Sequence, residues 1–166
     1  MTALILCTVA LLAPFLDKPF HIDDPLFVWA GKNLHKNWHD FFGFDVNWNG
    51  FLQKMHEVTQ NPPLACYYLA AAAAVGGWNE RWLHAAFLLP AVGTSLGTWL
   101  LARRQCERPL LAGLIVATSP VFLISASSVM CDVLMTCLWM WAIVLWISGL
   151  GRYSHWRLFV SGLLIG

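Results

Sequence analysis

The chain has 166 residues, of which 58% are hydrophobic and 11% charged, with a formal net charge of +1. With a mean hydropathy of +0.60, it is too apolar for an ordinary soluble domain and reads as an integral membrane protein. The near-neutral charge names no partner, and no nucleic acid is expected. Cys7, Cys66, Cys106, Cys131 and Cys137 form no C-x-x-C pair, which argues against a zinc site or a disulfide framework.

The first hydrophobic stretch, Met1–Leu16, has no basic residues ahead of it, and Phe15-Leu16-Asp17 makes a poor cleavage site. It is therefore expected to stay as a first membrane span. The acidic pair Asp23-Asp24 follows. Asp24-Pro25 signals a helix start, with Asp24 as N-cap and Pro25 at the first helical position. Leu26, Phe27, Ala30 and Leu34 recur on one face of that helix and Lys32, Asn33 and Lys36 lie elsewhere, the pattern of an interfacial helix. Asn37–Gly50 is rich in aromatics, Asn, Asp and Gly without clean periodicity, and is expected to be an irregular loop.

Asn61-Pro62-Pro63 opens a stretch, Pro62–Val75, of the length more often interfacial or re-entrant than spanning. Trp82–Ala102 is long enough to span; it holds Pro90 and a G-x-x-x-G at Gly93 and Gly97. Pro109–Leu150 is about twice the roughly 20 residues a crossing needs, so the chain must turn back inside it. Asp132 marks the turn, since a carboxylate at the bilayer centre costs about 2.5–3.5 kcal/mol on insertion scales. This divides the run into spans Pro109–Met130, bent at Pro120, and Val133–Leu150. A last apolar run starts at Leu158 and stops at Gly166, too short to span, so the chain is expected to be the amino-terminal part of a longer protein.

Arg103, Arg104 and Arg108 form one basic cluster; Arg152, His155 and Arg157 form another. Both belong on the cytoplasmic side, and two crossings separate them. Counting back makes Asp17–Arg81 one long outer loop, with Pro62–Val75 lying along the outer surface. Asp23, Asp24, Asn61 and Asp132 then all face outward.

Each candidate has an ordinary reading beside the functional one. Asp24 can be a helix cap and Asp23 a solvated loop residue; in the functional reading Asp23 is a general base whose pKa its acidic neighbour and partial desolvation raise. Asn61 can be a turn residue, or can bind a phosphate at the start of a helix. Asp132 can be a turn residue between spans, or an acidic member of the site. His35-x-x-x-His39 lacks the glutamate of H-E-x-x-H and reads as two solvated histidines. His21 and His56 have no pattern that requires a metal.

In order, the chain carries a first span, an acidic pair, an amphipathic helix, an aromatic loop, N-P-P-L-A-C-Y-Y-L, G-G-W-N-E-R-W-L-H, L-A-R-R and S-P-V-F-L-I-S-A-S-S-V-M-C-D-V-L-M. This order resembles the amino-terminal part of the GT-C membrane glycosyltransferases. It is closest to glycosyltransferase family 39, the dolichyl-phosphate-mannose protein mannosyltransferases, and their bacterial aminoarabinose-transferase-like relatives. The resemblance implies an all-α, polytopic transmembrane bundle with juxtamembrane helices in the long first outer loop, residues 1–166 forming part of one such domain. It implies transfer of a sugar from a polyprenyl-phosphate carrier to a lipid, glycan or protein acceptor, with inversion, on the extracytoplasmic face of a membrane, here a bacterial inner membrane. It makes Asp23, Asp24 and Asp132 the catalytic acidic residues. Asn61, Lys54, His56 and Tyr67 fall on the donor-phosphate or substrate side, Asn61 standing where the family has a basic residue before Pro-Pro. Some relatives use a divalent metal, for which Asp23 and Asp132 would be the ligands here. The competing readings are a transporter or lipid-binding scaffold, and a polyprenyl-phosphate phosphatase. A transporter should show an inverted repeat, and none is visible in the chain.

Overall fold

The computed structural model describes residues 1–165; Gly166, the last residue of the run from Leu158, lies outside them. The fold is helical, with one two-stranded ribbon. Helix α1 (Thr2–Leu12) continues into a short 3-10 turn, Ala13–Phe15. Helix α2 (Asp24–Leu34), strands β1 (Asp45–Asn47) and β2 (Leu52–Lys54), the single-turn α3 (Met55–Val58) and α4 (Leu64–Gly76) make up the first long loop. Then come α5 (Glu80–Ala102), α6 (Pro109–Thr118), α7 (Pro120–Ala126), α8 (Cys131–Gly151) and α9 (His155–Ile165).

Two helices, α5 and α8, are long and apolar enough to cross a membrane. The stretch Pro109–Met130, expected to bend at Pro120, contains the pair α6 and α7, bent by 63° at Ser119 and apolar enough to cross only when the two are taken together. The break has a local cause. Pro120 cannot continue the hydrogen-bond ladder and pushes Ser119 into an extended conformation (ψ 137°). The Ser119 hydroxyl then accepts from the Phe122 amide at 3.3 Å and caps the new helix. Helix α4 has 13 residues, about 20 Å at ~1.5 Å per residue, against a hydrocarbon core of ~30 Å. It packs on α2 and, through a turn at Gly77 (φ +79°), folds back on α5. Asn79 caps α5 by accepting from Trp82 N, and the Trp82 indole donates to the Ala72 carbonyl at 2.7 Å.

The bundle closes where backbones approach. A Cβ on Gly93 would lie 2.5 Å from Cys137 Sγ, and one on Gly97 3.0 Å from Met140 Cβ. The G-x-x-x-G of α5 is thus the seat of α8, and Trp141 Nε1 donates to the Gly93 carbonyl at 3.0 Å. The main core gathers Phe27, Leu69, Leu83, Phe87, Val129 and Val133, drawn from α2, α4, α5 and the start of α8.

Two details depart from the sequence reading. The aromatic loop contains an antiparallel ribbon pairing Val46 with Gln53, because three-residue strands are too short to show alternation. Asp24 is not the N-cap: Asp23 holds that position, and Asp24 is the first helical residue with Pro25 second.

Candidate active site

The approach to α2 is a compact knot. The His21 amide donates to Asp24 Oδ2 at 2.6 Å, and the Asp24 amide donates back to the His21 carbonyl at 3.0 Å. Asp24 Oδ1 accepts from the amide of Val129 at 3.1 Å. Asp24 is fully buried, and each of its oxygens accepts from a backbone amide, one three residues before it and one 105 residues after it. Burial pushes its pKa up, against the two amide bonds and the nearby His21 and Lys18, which pull it down. Asp24 is therefore a clamp that fastens the first loop to the segment between α7 and α8.

A second tie runs parallel to it. Lys18 Nζ donates to the Ser127 carbonyl at 3.4 Å and to the Ser127 hydroxyl at 3.3 Å. Arg81 at the head of α5 lies 3.5 Å from Asp17. The starts of α2, α5 and α8 thus meet at one end of the bundle. Both long helices run from this end to a basic one, α5 ending at Arg103 and Arg104 and α8 at Arg152.

The expected site residues divide by position. Asp23 is the accessible carboxylate of the acidic pair, its side chain 44% exposed and 4.0 Å from His21 Nδ1. Asp132 is half-buried in the first turn of α8, three residues beyond Val129. Asn61 is exposed, and its Nδ2 donates to Thr59 Oγ1 at 3.0 Å. Between α4, α8 and α9 lies an apolar groove of about 410 Å³ whose lining includes Pro62, Cys131, Leu134, Leu138 and Leu163. Neither Asn61 nor Asp132 lines it, though each is next in sequence to a lining residue, Pro62 and Cys131.

The remaining candidates have other partners. Lys54 is exposed and paired with Asp45 at 2.8 Å across the ribbon. His56 is exposed on α3. The Tyr67 hydroxyl donates to the Trp38 carbonyl at 2.8 Å, pinning the aromatic loop on α4. His35 meets the edge of Trp78 and His39 packs on Trp38, so the two do not face one another as a metal pair. Among the described residues no group of three or more His, Cys, Asp or Glu side chains is arranged to hold a metal ion.

The sequence reading passed over Lys18 and His84. His84 is buried in α5 and stacks on Phe20 at 5.7 Å; neither ring nitrogen has a hydrogen-bond partner among the described residues. Lys18 had one signal, a lone cation just after an apolar segment; His84 had its place near the head of an apolar helix.

Apolar helices of membrane-crossing length define the class of an integral membrane protein. The sequence pattern of the dolichyl-phosphate-mannose-protein mannosyltransferases matches residues 60–166, more than half of the chain, and the chain belongs to that family. It is thereby a membrane glycosyltransferase of GT-C-like, all-α build. The match takes in Asn61, Tyr67 and Asp132; Asp23, Asp24, Lys54 and His56 precede it. Comparison with curated proteins and with solved structures gave no match.

Proposed function

We propose that the chain forms the mouth of an enzyme that moves a sugar from a polyprenyl-phosphate donor to an acceptor on the extracytoplasmic face, with inversion. The observation that carries this reading is the pair of ties at Asp24–Val129 and Lys18–Ser127. They bring the loop bearing Asp23 to the start of the helix bearing Asp132. An inverting transfer needs a base on the acceptor and a leaving phosphate on the other side of the sugar.

Asp23 is the accessible carboxylate and takes the proton of the acceptor hydroxyl. The hydroxyl oxygen then bonds to the anomeric carbon as that carbon's bond to the phosphate oxygen breaks. Polyprenyl phosphate leaves with the electron pair of the broken bond. His21 Nδ1 accepts from the Asp23 amide at 3.5 Å and lies 4.0 Å from its carboxylate, which fixes the backbone that carries the base. The apolar groove takes the carrier's hydrocarbon, and the phosphate is presented toward Asn61 and Asp132, each next in sequence to a residue of the groove wall. Asn61 offers that phosphate a neutral donor, and His56 lies on the same connection ahead of α4. Asp132 contacts sugar hydroxyls. Tyr67 and Lys54 act through the loop they hold rather than on the phosphate. The chain's described residues do not supply three ligands for a divalent metal, and no step is routed through one.

The test is transfer by the full-length enzyme in proteoliposomes, with polyprenyl-phosphate sugar and nucleotide sugar offered separately. The expected result is transfer from the lipid donor alone, with the anomeric configuration inverted in the product by NMR. Transfer from the nucleotide sugar, or retention of configuration, would overturn the reading.

A further inference from the structure

A second cavity, of about 440 Å³, lies away from the acidic end, between α2 and the strand β1. Its volume is in the range of small-molecule sites, about 300–1,000 Å³. Trp29, Lys32, Asn33 and Lys36 line one wall; Phe44 and the backbone strand from Asp45 to Asn47 line the other. Trp29, Lys32 and Asn33 fall at helical spacing on the face of α2 turned away from the core that Phe27, Ala30 and Leu34 enter, and Lys36 follows in the turn just past the end of α2.

The charge in the cleft is uneven. Asp45 is neutralised by Lys54 at 2.8 Å. Among the described residues neither Lys32 nor Lys36 is paired with a carboxylate. Lys32 Nζ stands 5.7 Å from the centroid of the Trp78 ring, which orients it without cancelling its charge. The last carbonyls of α2 offset part of this field at Lys36, but the Asn33 carbonyl is already occupied by the amides of Lys36 and Asn37.

The same cleft has an aromatic platform and amides. Trp29 is held edge-on by Trp48, with ring centroids 6.2 Å apart at 82°, and remains 37% exposed. The Asn33 amide nitrogen is committed to the Asp40 carbonyl at 2.6 Å, which leaves its oxygen as an acceptor. Asn47 is exposed at the rim. Two cations suit a phosphate; a ring face with neighbouring amides suits the C–H and hydroxyl surface of a sugar.

We propose that this cleft binds a phosphorylated sugar, the phosphate between Lys32 and Lys36 and the ring against Trp29, and that it serves as the subsite for an anionic acceptor. The acceptor role rests on the transferase reading; the binding itself does not.

Titration calorimetry on the full-length enzyme in zwitterionic nanodiscs tests it, with glucose 1-phosphate, inorganic phosphate and glucose as probes. Glucose 1-phosphate should bind saturably and more tightly than either fragment. Lys32→Gln with Lys36→Gln should weaken it at least about tenfold. Trp29→Leu should remove its advantage over inorganic phosphate, and Arg103→Gln with Arg104→Gln should change nothing. Equal affinity in the double lysine variant would overturn the site. Nanodiscs containing phosphatidylglycerol form the second arm. If they abolish sugar-phosphate binding to the wild type, the cleft reads lipid headgroups and the sugar assignment fails. Intact binding with no sugar transfer to any acceptor would count against the transferase reading alone. Unimpaired transfer to a phosphorylated acceptor by the lysine variant would count against the acceptor role alone.

Discussion

The mouth of the molecule and its helical bundle are held together by different means. At the mouth, single side chains reach backbone groups far along the chain: Asp24 to Val129, Lys18 to Ser127, Tyr67 to Trp38 and Tyr68 to Ala86. In the bundle, α5 and α8 meet through absent side chains at Gly93 and Gly97, with one indole bond from Trp141. Directional bonds fail when one atom is removed, whereas shape complementarity degrades by degrees. The bundle has a directional bond of its own where Thr8 donates to the Ser95 hydroxyl at 3.2 Å, but the α5–α8 seam rests mainly on shape.

The largest effect is expected at Asp24. Asp24→Ala leaves the buried Val129 amide without an acceptor, about 1–3 kcal/mol, and also removes the acceptor of the part-buried His21 amide. The variant should melt earlier in nanodiscs, and the Val129 amide should exchange faster. An unchanged melting temperature would show that the clamp is not a clamp. Asp24 also sets a pH dependence. Its folded pKa is raised by burial, so its contribution to stability is fully present below the ordinary aspartate value and is lost as pH rises through the raised one. Asp24→Asn should flatten that slope.

Gly93→Leu should cost the bundle about 1–3 kcal/mol by overpacking. Its Cβ would meet Cys137 Sγ, so Cys137→Ala should restore part of the loss in a double variant. Additive losses would place the strain elsewhere. The smallest effect is expected for Tyr67→Phe, about 0.5–1.5 kcal/mol from one hydrogen bond. Faster amide exchange in the Trp38 segment, with the melting temperature nearly unchanged, is the expected signature.

The bundle was legible because its signals are local. Hydropathy and length located α5 and α8, G-x-x-x-G marked a close helix approach on α5 without naming α8 as its partner, and Pro120 located the break in the Pro109–Met130 stretch. The acidic pair was legible as a pair, but the burial of Asp24 and the N-cap position of Asp23 were not. Which carboxylate is buried depends on the Val129 amide, 105 residues away, and no periodicity reports such a partner. The ribbon at Asp45–Lys54 was missed for its brevity, and the cleft with Lys32 and Lys36 because it exists only once that ribbon lies over α2.

The central claim is that Asp24 builds the site and Asp23 reacts in it. The most direct measurement is the rate of sugar transfer per folded molecule for the full-length enzyme and its Asp23→Asn and Asp24→Asn variants. Asp23→Asn should keep wild-type folding and lose about 10²–10⁴ in rate, the usual cost of removing a general base. Asp24→Asn should lose folded yield first, because an amide nitrogen would then oppose a backbone N–H. Transfer at the wild-type rate by Asp23→Asn would contradict the account.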